Sequence, residues 1–145
     1  MLKIDSYMND GADWQSQAIL AYVRAHYNIA VDASFYEPAN DYNAKLRVGR
    51  YENCREQGYV FQISYEGTTK IKNFCVYQHR NSERICILVN DTYTINTPTW
   101  EVMWENKDRE DKDFQCGEIV ECGKWLIDEM KKFVLECVKD DAYIK

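Results

Sequence analysis

The strongest enzymatic hypothesis that this sequence offers rests on two carboxylates and a lysine in its second half. Asp91 follows an apolar run, and Glu105 and Lys107 further along form a Glu-x-Lys pattern. In metal-dependent nucleases, two carboxylates hold a divalent cation while a lysine orients the attacking water. The pattern is weak here, because Glu-x-Lys arises often by chance in a chain with 29% charged residues. Residues 101–113 are also acidic, whereas a nuclease needs positive charge to bind phosphates.

Other catalytic arrangements are missing from the sequence. The chain has no GxSxG nucleophile motif and no glycine-rich phosphate loop, and it contains only two histidines. Its six cysteines include no CxxC pair, and the six-residue step from Cys116 to Cys122 is not zinc-ribbon spacing. We therefore favour a non-enzymatic protein and assign no catalytic residue, no metal ligand and no cofactor.

The charge of the chain is unevenly distributed, with a net value of -6. Residues 43–90 carry eight bases and four acids, whereas residues 1–42 carry six acids and two bases, and residues 101–145 carry thirteen acids and eight bases. A protein that is acidic overall repels nucleic acid and attracts basic partners. We therefore expect no direct nucleic-acid binding, with the basic middle as the region that could depart from this.

The length and composition indicate one ordinary globular domain covering residues 1–145. A chain of 145 residues buries enough surface to form a core without metals or disulfides, and 46% apolar residues argue against disorder. The start of the sequence has no apolar run that resembles a signal peptide, and no run is long enough to cross a membrane. We expect a cytoplasmic protein with reduced cysteines and no membrane association.

The periodicity of apolar residues predicts a helix, a series of strands and a second helix. The first helix is expected over residues 12–27, with its buried face formed by Trp14, Ala18, Ala21, Tyr22 and Ala25. Four strands are expected over residues 44–51, 58–65, 70–79 and 84–90, and a fifth somewhere in residues 93–104. Short links between successive strands predict antiparallel pairing.

The last helix has the clearest pattern and is expected over residues 114–140. Its apolar stripe comprises Cys116, Val120, Gly123, Ile127, Met130, Val134 and Cys137. The predicted fold is thus an α+β two-layer sandwich: an N-terminal helix, a four- to five-stranded antiparallel sheet and a long C-terminal helix packed on one sheet face. Trp125 falls opposite the stripe, among acidic residues, and this position suits a contact surface; the competing interpretation is that its ring packs laterally against a loop.

These elements place a candidate partner-binding surface near the start of the last helix. Exposed tryptophans among carboxylates suit a basic partner, because carboxylates attract its positive charge while an aromatic ring provides apolar contact. The predicted partner-binding residues are Trp100, Trp104, Asp108, Glu110, Asp111, Asp113 and Trp125. Residues 107–113 also have a local explanation, since negative charge stabilises the start of a helix.

The basic middle of the chain supports an alternative hypothesis, a site for a nucleotide or another small ligand. Cations and aromatic rings on a sheet can stack on bases and hold phosphates. The residues predicted for this site are Arg47, Arg50, Tyr59, Tyr65, Lys72, Tyr77 and Arg80. The competing interpretation is that these side chains form a solvated outer sheet face.

The function favoured by the sequence is a small acidic inhibitor or adaptor that docks on a larger basic protein, itself one that handles nucleic acid. Immunity proteins and phage proteins that block host defence are examples of this type of role. A homodimer is also expected as a possibility, because a sheet face or edge left uncovered is a natural dimer surface.

Overall fold

The structure is a computed structural model that describes residues 3–6, 14–30, 44–52, 57–65, 70–79, 81–92 and 110–144. The expected α+β sandwich is confirmed. The elements in chain order are β1 (Lys3–Ser6), α1 (Trp14–Ala30), β2 (Ala44–Glu52), β3 (Gln57–Tyr65), β4 (Ile71–Gln78), β5 (Ile85–Thr92), β6 (Lys112–Phe114) and α2 (Ile119–Ile144). None of the described helices is long and apolar enough to span a membrane.

The six strands form one sheet in the order of the chain, from β1 at one edge to β6 at the other. Strands β2 to β6 pair antiparallel, as expected, whereas β1 pairs parallel to β2. Neither β1 nor β6 was predicted. Strand β1 has only four residues and β6 only three, mostly charged, and strands this short show no periodic pattern. The strand expected within residues 93–104 lies outside the described residues.

The main core lies between one sheet face and the two helices. Along β3, Tyr59, Phe61, Ile63 and Tyr65 alternate onto this face and are almost completely buried. They pack with residues of both helices, which include Ile19, Val23, Leu126, Met130 and Val134. The expected packing of the long C-terminal helix on one sheet face is confirmed, and α1 lies on the same face.

The predicted buried face of α1 is wrong. Trp14 is 56% exposed, and Ala21 and Ala25 are exposed as well. The residues that α1 buries are Gln15, Ser16, Ile19, Leu20, Val23 and Tyr27, which include its large aliphatic side chains. Burial of an Ile, Leu or Val side chain contributes about 1.5–3 kcal/mol, much more than burial of an alanine. The helix therefore turns its aliphatic side inward and its alanines outward.

Helix α2 begins at Ile119, later than the sequence predicted. Phe114 belongs to β6, and Gly117 has a φ of 90°, a conformation that suits glycine and does not continue into a helix. The carbonyl of Glu118 accepts the first helical hydrogen bond, from the N–H of Cys122. The predicted stripe is buried from Gly123 onward, but its first two members, Cys116 and Val120, are exposed.

The two helices lie side by side and run in the same direction. Gln15 near the start of α1 bonds to Gly117 just before α2, and Tyr22 one to two turns later contacts Gly123. A Cβ atom at position 123 would overlap the Tyr22 ring, so glycine permits this close approach.

The opposite sheet face, which the sequence left either solvated or paired with another surface, is partly buried. Its apolar cluster consists, within the described chain, of strand residues alone: Val60, Cys75, Tyr77, Cys86 and Leu88. Beside it, the amides of Gln62, Asn73 and Asn90 stand in one register row across β3, β4 and β5. Gln62 donates to Asn73 Oδ1 at 3.0 Å, and hydrogen bonding of this kind offsets the cost of burying amides.

Candidate protein-interaction surface

The acidic segment, residues 110–113, is fixed to the sheet by an arginine from the turn between β4 and β5. Arg84 Nη1 donates to Glu110 Oε1 at 2.8 Å and to Asp113 Oδ2 at 3.3 Å. The Arg84 side chain is 26% exposed, while Glu110 and Asp113 are 31% and 51% exposed. Both acids thus have an intramolecular partner and still present part of each carboxylate to solvent.

Asp111 attaches the same segment to β5 through its backbone and its side chain. Its N–H donates to the carbonyl of Ile87 at 2.9 Å, and its Oδ2 accepts from the N–H of Val89 at 2.7 Å. The carboxylate therefore takes the place that a strand carbonyl would occupy. The hydrogen bond to the Asp111 carboxylate continues the pairing of β6 with β5. It also satisfies the N–H of Val89, a backbone group that an added strand could otherwise bind at this edge of the sheet.

The environment of Glu110 fixes the protonation states around it. The hydrogen bond from Arg84 lowers the pKa of Glu110 and raises the pKa of Arg84, so both groups are charged at neutral pH. The Tyr77 hydroxyl also donates to Glu110 Oε2, at 3.5 Å. Burial, followed by the effect of Glu110, raises the pKa of the Cys86 thiol to about 12. Cys86 is therefore a neutral thiol and not an activated nucleophile.

Trp125 lies half-buried on the side of α2 that faces β6. Its ring meets Phe74 edge-on, with 6.0 Å between ring centroids and an interplanar angle of 89°, and Phe114 at 6.5 Å and 66°. Edge-to-face contacts at these distances are favourable. The tryptophan predicted to stand apart from the core thus packs against two strands, as the third ring of an aromatic group.

Two lysines lie over the rings that contact Trp125. Lys72 Nζ is 5.8 Å from the centroid of Phe74, and Lys112 Nζ is 5.3 Å from that of Phe114. These distances fall within the range of cation–π attraction. The lysines therefore cover part of the aromatic group and keep it from forming an open apolar patch.

An open groove of about 330 Å³ runs along α2 beside Trp125. Its lining comprises Trp125, Asp128, Glu129, Lys131, Lys132 and Leu135. Lys132 pairs with Glu129 at 3.0 Å, whereas Asp128 is exposed. The groove thus combines two half-buried apolar side chains, Trp125 and Leu135, with a charged rim, which is the composition found at the edges of protein interfaces.

The structure places four of the predicted partner-binding residues at or beside β6, with the carboxylates of Glu110 and Asp113 on the sheet face opposite to Trp125. Glu110, Asp111 and Asp113 lie on the acidic segment, and Phe114, which follows Asp113, touches Trp125. Trp100, Trp104 and Asp108 lie outside the described residues. The sequence reasoning missed Arg84, Phe74 and Phe114. Their role depends on which strands are neighbours, and no spacing along the chain signals that.

The residues predicted for a ligand site are not brought together. Tyr59 and Tyr65 are buried under the helices, and Lys72 lies on that same face. Arg47 is exposed on the opposite face, where Tyr77 is buried in the second cluster. The side chain of Arg50 and the whole of Arg80 lie outside the described residues. The described part of this set therefore divides between two sheet faces and lines no shared pocket.

The residues of the metal-site hypothesis lie outside the described part of the chain, namely Glu105, Lys107 and the side chain of Asp91. Within the described ranges, no group of three or more His, Cys, Asp or Glu side chains could hold a metal ion.

Compared with known proteins, the chain matches no protein-family model, no curated protein and no solved structure.

Proposed function

We propose that this protein is a non-catalytic acidic binding protein that docks on a larger basic protein through the edge formed by residues 110–113 and the Trp125 groove. The observation that carries this proposal is the position of Trp125. Its ring is half-buried on two phenylalanines, beside an open groove whose lining includes the carboxylates of Asp128 and Glu129. A rigid aromatic ring surrounded by polar groups is the usual composition of an interaction hot spot.

The fixed geometry of the acids also supports binding. Arg84 and the N–H of Val89 hold Glu110, Asp111 and Asp113 in place before any partner arrives. Preorganised groups lose less conformational entropy when a complex forms. Residues 110–118 carry four acids and one lysine, so the edge keeps a negative balance after pairing with Arg84. A basic partner would be attracted to this edge and oriented by it.

The role that fits this chemistry is that of an inhibitor or adaptor of the immunity-protein or phage anti-defence type. Such a protein acts by occupying a basic surface that its target uses for nucleic acid, and it needs no reactive group. The Cys86 thiol is neutral, and the described residues predicted for a ligand site are divided between two sheet faces. Both observations agree with a protein that binds and does not catalyse.

The test is capture of partners from the native host lysate, followed by titration of each purified partner. Trp125→Ala and Asp128→Lys alter the groove, while Glu121→Lys makes the same charge reversal on an exposed part of α2 outside it. Circular dichroism first establishes that each variant is folded. Because Trp125 also packs on the sheet, Asp128→Lys is the decisive variant if Trp125→Ala unfolds.

A basic partner that binds the wild type should bind both groove variants at least about tenfold more weakly, a loss of about 1.4 kcal/mol, and Glu121→Lys nearly as well as the wild type. Its affinity should fall as salt is raised, since salt screens exposed charges. Equal affinity for the wild type and folded Asp128→Lys would refute docking at the groove, and an acidic partner would refute the charge argument.

A further inference from the structure

The charges along α2 are arranged symmetrically around Met130, with the sign inverted. Every charged residue from position 124 to position 136 has a residue of opposite charge at the same distance on the other side of Met130. Taken outward from Met130, the pairs are Glu129 and Lys131, Asp128 and Lys132, and Lys124 and Glu136. Trp125 and Leu135, the two apolar residues of the groove, are placed symmetrically as well. This part of α2 is therefore complementary in charge to itself when it runs in the opposite direction.

Four of these residues form one stripe along the outer side of α2. Trp125, Asp128, Lys132 and Leu135 follow one another in steps of three, four and three, which is the spacing of a seam between two helices. All four line the groove. Asp128 is exposed and the Lys132 side chain is 71% exposed, whereas Trp125 and Leu135 are half-buried. The charged centre of the stripe is thus open to solvent in the single chain.

From this self-complementary pattern, we infer that the groove of α2 is a homodimer interface, in which two α2 helices pack antiparallel around a two-fold axis at the height of Met130. A two-fold axis brings the same patch of both copies together. Asp128 then lies beside Lys132 of the second copy, and Trp125 lies beside Leu135 of the second copy, so that each contact occurs twice. Parallel helices would instead place Asp128 beside Asp128 and Lys132 beside Lys132.

The balance of charge also favours contact at this part of the surface. The chain has a net charge of -6, so two copies repel each other through most of their surfaces. Residues 124–136 carry three acids and three bases, so no net charge opposes contact there. Lys132 lies 3.0 Å from Glu129 of its own helix, and Asp128 of the second copy gives it a further carboxylate. Exposed ion pairs add little affinity, so they mainly fix the direction and register of the two helices.

The contact area limits the affinity of this dimer. A contact over positions 123–137 is about 22 Å long, and a helix with its side chains is about 10 Å wide, so each copy contributes roughly 200 Å² of flat helix face. Even about twice this area, as interlocking side chains would bury, stays below the roughly 800 Å² per partner of a standard stable interface. We therefore expect a weak, reversible dimer with a dissociation constant of about 0.1–1 mM.

Dimerisation through this groove would regulate partner binding. A second copy covers Trp125 and Asp128, which the basic partner is proposed to contact, so the two compete for one surface. This consequence rests on the proposed function, whereas the dimer itself does not. A weak dimer leaves the groove open when the protein is dilute and gives way to any partner that binds more tightly.

Sedimentation velocity of the purified chain at concentrations up to about 1 mM tests the interface without any partner. The wild type should dimerise. Asp128→Lys sets lysine beside lysine, and Lys132→Asp sets aspartate beside aspartate, so each should raise the dimer dissociation constant at least about tenfold. Asp128→Lys makes the net charge less negative, so general repulsion between copies cannot explain its effect. Both positions are exposed, and circular dichroism establishes that each variant is folded.

Exchange of the two charges provides the matched control. The double variant Asp128→Lys/Lys132→Asp restores opposite charges across the axis, and its dissociation constant should lie within about threefold of the wild-type value. An equimolar mixture of the two single variants should form a heterodimer, because the two lysines of one copy face the two aspartates of the other. Arg47→Asp, on the sheet face away from the helices, makes the same change in net charge as Lys132→Asp and should leave the dissociation constant unchanged.

A wild type that stays monomeric at every concentration overturns the inference. A dimer that both folded single variants leave intact also overturns it, as do single variants that fail to associate when they are mixed. These outcomes are separate from the test of the proposed partner. Equal partner affinity of the wild type and Asp128→Lys would refute docking at the groove, while the dimer would still stand.

Discussion

The side chain of Gln15 bonds the backbone N–H of Gly117 at 2.7 Å, although the two residues are 102 positions apart in the chain. Gln15 is completely buried. Its Nε2 also donates to Gln78 Oε1 and to the carbonyl of Glu83, each at 2.7 Å. One amide therefore connects α1, the turn between β4 and β5, and the start of α2, and it fixes how the helices sit on the sheet.

Replacing Gln15 should destabilise the fold strongly. Gln15→Leu keeps most of the volume and removes the three hydrogen bonds that the buried Gln15 amide makes to Gly117, Gln78 and Glu83. A hydrogen bond contributes about 0.5–1.5 kcal/mol, so we expect the free energy of unfolding to fall by about 2–4 kcal/mol in urea denaturation. Gln115→Leu, the same substitution at an exposed position before α2, should stay within about 0.5 kcal/mol of the wild type. Equal stability of Gln15→Leu and wild type would contradict this account.

The pairing of Glu110 with Arg84 should make stability depend on pH. Arg84 lowers the pKa of Glu110 below its usual value of 4.5, so the pair stabilises the folded state above that pH. Because both side chains are partly exposed, we expect Glu110→Gln to cost only about 1 kcal/mol at pH 7. The difference from wild type should shrink as the pH falls through the folded pKa and Glu110 becomes protonated.

Thermal unfolding of wild type and Glu110→Gln at several pH values measures this difference. Glu136→Gln removes an exposed carboxylate without such a pair and serves as the control, with a difference close to zero throughout. A Glu110→Gln difference that is constant from neutral to strongly acidic pH would show that the Arg84 pair does not supply it.

Two glycines should respond differently to an added methyl group. At Gly58, a Cβ atom would overlap the backbone carbonyl of Val76 on β4, and the sheet can relieve this only by moving a strand. We expect Gly58→Ala to cost about 3 kcal/mol. At Gly123, the neighbour is the Tyr22 ring, which can turn, and alanine improves helix propensity by about 1 kcal/mol. Gly123→Ala should therefore cost clearly less, and a reversed order in denaturation experiments would refute these contacts.

The thiols should react with iodoacetamide in an order set by their exposure. Cys116 is exposed, whereas Cys86 and Cys122 are buried, and burial raises the pKa of both buried thiols to about 12. Alkylation depends on the thiolate, so Cys116 should be labelled first in the native protein and the other two only after unfolding. Peptide mass spectrometry follows the three sites, with Cys116→Ser as the control that removes the label at position 116. Native labelling of Cys86 or Cys122 at the rate of Cys116 would contradict the burial.

Part of the candidate surface could be read from the sequence, and part could not. Tryptophan and acids close together in the chain indicated where to look, and β6 does bring Phe114 to Trp125, but it turns Asp113 to the opposite sheet face. Arg84 could not be found in this way, because it reaches Glu110 only through the pairing of β5 with β6, across 26 positions of the chain. The same holds for Phe74, which meets Trp125 across two strands.

The sequence by itself determined the antiparallel strands and the long amphipathic helix, because alternation along β3 and the four-and-three repeat along α2 are local patterns that burial of a single face imposes. Tertiary structure alone decided which side of α1 is buried. Both of its sides are apolar, so periodicity cannot choose between them. The larger area of Ile19, Leu20, Val23 and Tyr27 fills the space above the sheet and leaves Trp14 and the alanines outside.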